Sequence, residues 1–154
     1  MNTITDAVSY VLKPLNRLGE FLPQLALRLL LAWEFGESGW TKLTSSNWFD
    51  DIQDTFPLPF NLVPTDISWQ IATWSELLGA AALVIGLGTR FFSLQLIILT
   101  IVAWMSVHAA NGYNICDNGY KLPLIYLVLF LPLLFSGPGK LSIDYWLAKK
   151  YKLG

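Results

Sequence analysis

The chain has 154 residues, of which 54% are hydrophobic and 14% charged, with a mean hydropathy of +0.48. A soluble domain carries about 25% charged residues, so one integral domain in contact with a lipid bilayer is the class that remains. Ten Lys and Arg against eleven Asp and Glu exclude the basic face that nucleic-acid binding needs, and one cysteine excludes a disulfide framework or a CxxC metal or redox motif.

Residues 6–19 form an amphipathic pattern interrupted by Pro14, and Asp6 and Glu20 leave no long apolar core for a cleavable signal. Four apolar stretches follow at Phe21–Trp40, Ser68–Leu87, Phe91–Ala110 and Tyr120–Phe135. A helix crossing the hydrocarbon core needs roughly 17–25 residues, so the fold class is an all-α, four-helix transmembrane bundle spanning the single domain 1–154. The first stretch is interrupted by Arg28, Glu34 and Glu37, and the fourth is short with a bend expected at Pro132. Between the first two, Asn47 precedes WFDDIQDTF, where Trp48, Ile52 and Phe56 recur every four residues, as on a helix lying on the membrane. Phe56–Pro64, with three prolines, reads as ordered turns. After the fourth stretch Ser142 is placed to cap IDYWLAKKYK, a basic amphipathic helix suited to an anionic leaflet.

Lys13, Arg17, Arg90, Lys140, Lys149, Lys150 and Lys152 fall on one side of such a bundle, against Lys42 and Lys121 on the other. Basic loops stay cytoplasmic, which places both termini in the cytoplasm of a multi-pass protein of the inner (cytoplasmic) membrane.

Ionisable groups inside spans are costly and usually face the bundle interior. Glu76 lies eight residues past Ser68, about 12 Å down its helix at the α-helical rise. Glu34, Glu37, His108 and Lys121 reach the same outer half. Glu76 shares a stripe with Trp69, Ala72, Gly79, Ala80 and Leu83, while Trp104 and His108, four apart, are expected to stack along the third helix. The reading is a polar pocket with Trp33, Trp104 and Tyr126 as walls, and with Arg28 reaching up to Glu34 or Glu76.

Plainer readings stand beside these. Arg28 with Glu34 or Glu76 forms only an inter-helix salt bridge, and Glu37 and Lys42 are solvated near the interface. His108 is a hydrogen-bonded histidine beside Asn111. Cys116 is a loop thiol, eight residues from His108 and at no standard zinc spacing, so no metal site is expected. Only Met1 and Met105 offer thioethers, which disfavours copper(I). The small-residue run Gly79-Ala-Ala-Ala82 leaves a homo-oligomer open.

Arg28, then Gly36-Glu-Ser-Gly-Trp-Thr-Lys42, Glu76-Leu-Leu-Gly79, Gly86-Leu-Gly-Thr-Arg90, His108 and Gly137-Pro-Gly-Lys-Leu-Ser-Ile-Asp144 occur in this order. Over about residues 24–146 the chain thereby resembles the DoxX family of small four-helix bacterial membrane proteins. The stretch from Trp104 to Leu122, with HAANGYNICDNGYKL, is similar to a subgroup encoded beside copper-responsive ribosomal peptides and their iron-dependent modifying enzymes. The family takes its name from a subunit of a thiosulfate:quinone oxidoreductase and has distant kin in the membrane part of vitamin K-dependent carboxylase. The resemblance therefore implies a quinone-like ligand and polar positions at Arg28, Lys42, Glu76, Arg90 and His108, with the GPGKLSID turn structural. Glu34 and Cys116 depart from the family pattern.

Two functions of different kind follow. In the first, the chain is an accessory, non-cofactor subunit of a quinone-linked oxidoreductase. Glu76 and His108 handle protons, Arg28, Glu34, Trp33, Trp104 and Tyr126 hold the quinone, and a partner redox or modifying enzyme supplies electrons, since no haem, flavin or iron–sulfur signature is present. In the second it is a non-catalytic membrane anchor or assembly protein, including one for a copper-responsive peptide pathway. Metal handling by His108, Glu34, Glu37 and Cys116 ranks third.

Overall fold

The structure, a computed structural model, describes residues 3–152, with side chains from Ser9 onward apart from Val11; Met1 lies outside the described residues. Six α-helices run in chain order: α1 Thr3–Gly19, α2 Leu22–Thr44, α3 Thr65–Ile85, α4 Thr89–Ala103, α5 Lys121–Phe135 and α6 Ile143–Tyr151. No strand occurs among the described residues, so the all-helical class is established. By length and composition one continuous helical run, Thr89–Asn111, is apolar enough to cross a membrane, with a mean hydropathy of 1.8, and Lys121–Phe135 is a shorter apolar helix.

Pro14 lies within α1 without ending it, and Tyr10, Leu12, Leu15 and Leu18 are exposed along that helix. Pro23 opens α2, where its missing N–H has no intrahelical partner to lose. α2 runs four residues further than the apolar stretch suggested, to Thr44, and turns Arg28, Leu31, Ala32, Phe35 and Gly39 inward at helical spacing. The α3 stripe of Trp69, Ala72, Glu76, Gly79, Ala80 and Leu83 is buried, as its periodicity predicts. Glycine allows the close approach of these helices. A Cβ on Gly39 would lie 2.9 Å from Leu77 Cγ, and one on Gly79 would lie 2.9 Å from Leu96 Cδ1. Gly79, Ala80 and Ala82 therefore make their contacts within the chain, and Ala81 points outward. Leu31, Leu83, Leu96, Phe130 and Leu133, all at 0% exposure, fill the centre. Pro132 sits in the last turn of α5, where Ser136 N still reaches the Pro132 carbonyl, at 2.9 Å.

Three expectations are corrected by the structure. Residues 49–55 wind as a 3₁₀ helix rather than an α-helix. Trp48 rather than Asn47 holds the N-cap position; Asn47 lies one residue before it, with Oδ1 accepting from Phe49 N at 2.9 Å, and prolines at 57 and 59 leave no room for longer winding. The segment folds over the start of α3, with Phe49 edge-on to Trp69 at 5.0 Å and to Phe56 at 5.2 Å. The ordered turns beyond it include a cis Leu58–Pro59 peptide and a single 3₁₀ turn at 60–62.

The second correction concerns Trp104 and His108. The backbone from 104 to 108 is a π-helical turn rather than a continuation of α4. Trp104 stacks instead on Tyr120, with ring centroids 5.3 Å apart and planes 14° apart.

The third concerns Arg28. It is 1% exposed and lies at the opposite end of the bundle from Glu76, in contact with the α3–α4 turn. Its Nη1 donates to the Leu83 carbonyl at 3.4 Å and its Nη2 to the Leu141 carbonyl. A Cβ on Gly86 would lie 2.0 Å from Nη1, which keeps that turn, at φ +69°, a glycine position. Asp144 completes the junction. Its carboxylate accepts from Gly88 N at 2.7 Å and Thr89 N at 2.8 Å, while its own N–H donates to Gly86 O at 2.9 Å. Ser142 caps α6 as expected, accepting from Tyr145 N at 3.1 Å. Arg90 ties in the end of α5 through the Phe135 carbonyl, at 3.3 Å. Outside the bundle, Lys140 pairs with Glu20 at 2.5 Å, and that hydrogen bond holds the ammonium above its ordinary range.

Candidate functional site

α3 and α4 meet tightly at the Gly86–Gly88 turn, and at the other end the 49–55 segment packs against both α3 and the 104–108 turn. Between these two points the helices enclose, with α2 and α5, a cavity of about 780 Å³. Residues 48–63 roof it through Trp48, Phe49, Ile52, Phe56, Phe60 and Val63. The walls are mostly apolar, and the polar side chains reaching it fall into a few groups.

The central group was legible only in part. Glu76, 5% exposed, accepts from Lys42 Nζ at 2.8 and 2.9 Å and from Ser38 Oγ at 3.2 Å. Lys42 also donates to Ser38 Oγ at 2.8 Å, so all three donors of the ammonium have an oxygen in reach. Lys42 is thus the partner the sequence reading gave to Arg28, and the view of Lys42 as a solvated interface residue is corrected. The signal that would have found it is the inward stripe of α2, which continues from Phe35 through Ser38 and Gly39 to Lys42 once the helix extends to Thr44.

A second group lies deeper, where the Tyr126 hydroxyl donates to Glu34 Oε2 at 2.5 Å. At the roof end His108 Nδ1 lies 2.6 Å from the Asn118 carbonyl. An oxygen that only accepts requires Nδ1 to carry the proton in the neutral ring, which leaves the lone pair on Nε2. Two polar atoms on the α4 wall, Gln95 Oε1 and Ser106 Oγ, are buried and have no partner of their own. A buried unpartnered polar atom calls for explanation, and here both border an open volume.

Of the residues singled out from sequence, Glu76, His108, Glu34 and Tyr126 are thus brought to one cavity. Three are not. Arg28 belongs to the far junction, Trp33 points outward at 72% exposure, and Trp104 lies outside the lining, against Tyr120. Glu37 and Cys116 are exposed, and among the described residues no three His, Cys, Asp or Glu are grouped to hold a metal. The residues fit a quinone-class ring. The volume falls within the roughly 300–1,000 Å³ of ligand sites, the roof is aromatic, and the unpartnered Ser106 hydroxyl can donate to a ring oxygen.

An all-helical bundle with an internal pair of oppositely charged side chains and a roofed apolar cavity is the class of protein defined here. The DoxX family profile matches residues 24–109, and the chain belongs to that family, a membrane-associated one. It is 54% identical over 134 residues to a protein of Haemophilus influenzae described as an uncharacterized protein, covering 87% of this chain and 89% of that one. A second uncharacterized protein of the same organism is 35% identical over 78 residues, covering 49% of this chain and 58% of its own length. No solved structure matches.

Proposed function

We propose that the chain is a four-span bundle of the cytoplasmic membrane, with α2–α5 crossing it and both termini in the cytoplasm, and that it holds a quinone in the roofed cavity as an accessory subunit of an oxidoreductase. The cavity carries this reading, with its apolar walls and its few polar groups at defined places. The membrane placement is supported by the surface. Only 17% of the most apolar window of the 89–111 run is buried in the chain, which is unlike the core helix of a soluble protein. Large side chains such as Trp33, Trp74, Phe91 and Phe135 stand exposed on α2–α5.

A bound quinone supplies two-electron chemistry coupled to protons, and the electrons come from the partner enzyme. The chain's own residues position and protonate. The Tyr126 hydroxyl donates to Glu34 Oε2, and Lys42 and Ser38 fix the Glu76 carboxylate. The Nε2 lone pair of His108 is an acceptor at the roof end, with its ring held by Asn118.

The test is purification in mild detergent followed by solvent extraction and chromatography of quinones. The wild type should retain a quinone and Glu76→Gln should lose it. A quinone-free preparation that still complements a deletion strain refutes the proposal. A second reading, a non-catalytic anchor, is favoured by the exposed apolar side chains of α1 and the basic end of α6. It predicts that Lys42→Met with Glu76→Gln keeps both function and co-purifying proteins.

A further inference from the structure

Resting on the membrane placement above, we infer that the cavity opens sideways between α3 and α4 and takes a ligand with a hydrocarbon tail, which enters from the bilayer and leaves its tail in that opening. Ile71 on α3 and Ile98 on α4 both line the cavity and are 57% and 45% exposed. A side chain that does both stands at a rim. The neighbours of each on the outer surface are Trp74 and Leu78 on one helix and Leu94 and Ile101 on the other, all exposed and none charged. A polar solute finds no charged group there to replace its hydration, whereas an acyl or isoprenoid chain meets an apolar surface.

The interior agrees with the rim. Gln95 and Ser106 lie eleven residues apart on the same wall, about 16 Å at helical rise. A single ring cannot fill a space of that length. The stretch between carries Ile98, Leu99, Val102 and Ala103, with the one hydroxyl there, on Thr100, already donating to the Leu96 carbonyl at 2.7 Å, which suits a chain rather than a second polar group. The fold holds the rim apart by construction: the short turn pins α3 to α4 at one end, and the 49–55 segment is wedged between α3 and the 104–108 turn at the other.

The experiment uses two photoreactive probes in liposomes. One is an alkyl chain bearing a diazirine on a phosphocholine head, and the other carries the same chain on a benzoquinone ring. Crosslinked residues are mapped by mass spectrometry. Both probes should label the interior at Ser75 and Val102 as well as the surface at Leu94. Ile71→Trp with Ile98→Trp should lower interior labelling about tenfold and leave Leu94 labelling unchanged, while Ile98→Ala should raise it. Interior labelling absent from the wild type, or equal in the wild type, the double Trp variant and Ile98→Ala, overturns the sideways opening. Because the phosphocholine probe has no ring, its interior labelling supports the opening whatever happens to quinone. Failure of unlabelled quinone to displace the ring probe, with both probes still inside, removes the quinone reading alone.

Discussion

Lys42→Met is the perturbation that most directly tests how the charged pair is held. The pair sits at 2.8 Å with side chains 13% and 7% exposed. At an effective dielectric of about 20 the gross attraction at that distance is about 6 kcal/mol, most of it offset by desolvation of both ions. Removing the lysine leaves Glu76 with Ser38 Oγ as its one remaining hydrogen-bond partner, at 3.2 Å. Breaking a buried pair from one side costs about 3–5 kcal/mol, and the lower end applies here because Ser38 remains. For a chain of this size that lowers the melting temperature by about 6–12 °C at 2–4 °C per kcal/mol. Lys42→Met with Glu76→Gln removes both charges and should recover most of the loss. The assay is thermal unfolding in detergent of the wild type, the two single variants and the double, read as a cycle with a coupling energy of about 2 kcal/mol or more. A Lys42→Met protein within about 0.5 kcal/mol of wild type, the range of ordinary surface substitutions, refutes the reasoning.

Asp144→Ala removes the acceptor for two backbone donors at 2.7 and 2.8 Å. Bonds to a charged group contribute about 1.5–3 kcal/mol each, so a loss of at least about 3 kcal/mol is expected in the same melt, and Asp144→Asn should recover part of it. Gly86→Ala and Gly112→Ala separate crowding from backbone strain, since Gly86 lies in the left-handed region at φ +69° and ψ +43° whereas Gly112, at φ +73° and ψ −173°, lies in a region essentially restricted to glycine. The first would put a Cβ 2.0 Å from Arg28 Nη1, whereas the second meets nothing nearer than 4.0 Å. Gly112→Ala should cost about 1–3 kcal/mol of backbone strain, and Gly86→Ala should abolish recovery of folded protein on size-exclusion chromatography.

The helices were legible because their apolar runs are long, and Glu76 stood out because nothing near it on its own helix could neutralise it. Depth along each helix is linear in residue number, which is why Glu34, Glu76 and His108 could be brought to one region by counting. Lateral position is not linear in anything local. Arg28 faces inward, yet its acceptors come from Leu83 and Leu141, and the return of residues 137–144 to that end is a tertiary fact. Trp33 was taken for a wall because tryptophan is large and apolar, but that chemistry serves an outward face equally well. The change of winding at 104–108 left no mark on a period-four pattern. The 49–55 segment carried a correct set of aromatic residues, but its cap falls one residue later than Asn47 and the prolines after it limit its winding.

The junction of Arg28 with residues 83, 86, 141 and 144 also bears on the order in which the protein is made. Arg28 leaves the ribosome more than a hundred residues before Leu141. Through the synthesis of α3, α4 and α5 the guanidinium has the Leu83 carbonyl as its one described acceptor, and the donors at Gly88 and Thr89 await Asp144. The bundle cannot close around its most deeply buried cation until its final helix begins. A chain cut short before Leu141 lacks that carbonyl acceptor for the buried guanidinium and the Asp144 carboxylate beside it, so the last segment completes the junction that the first bundle helix begins.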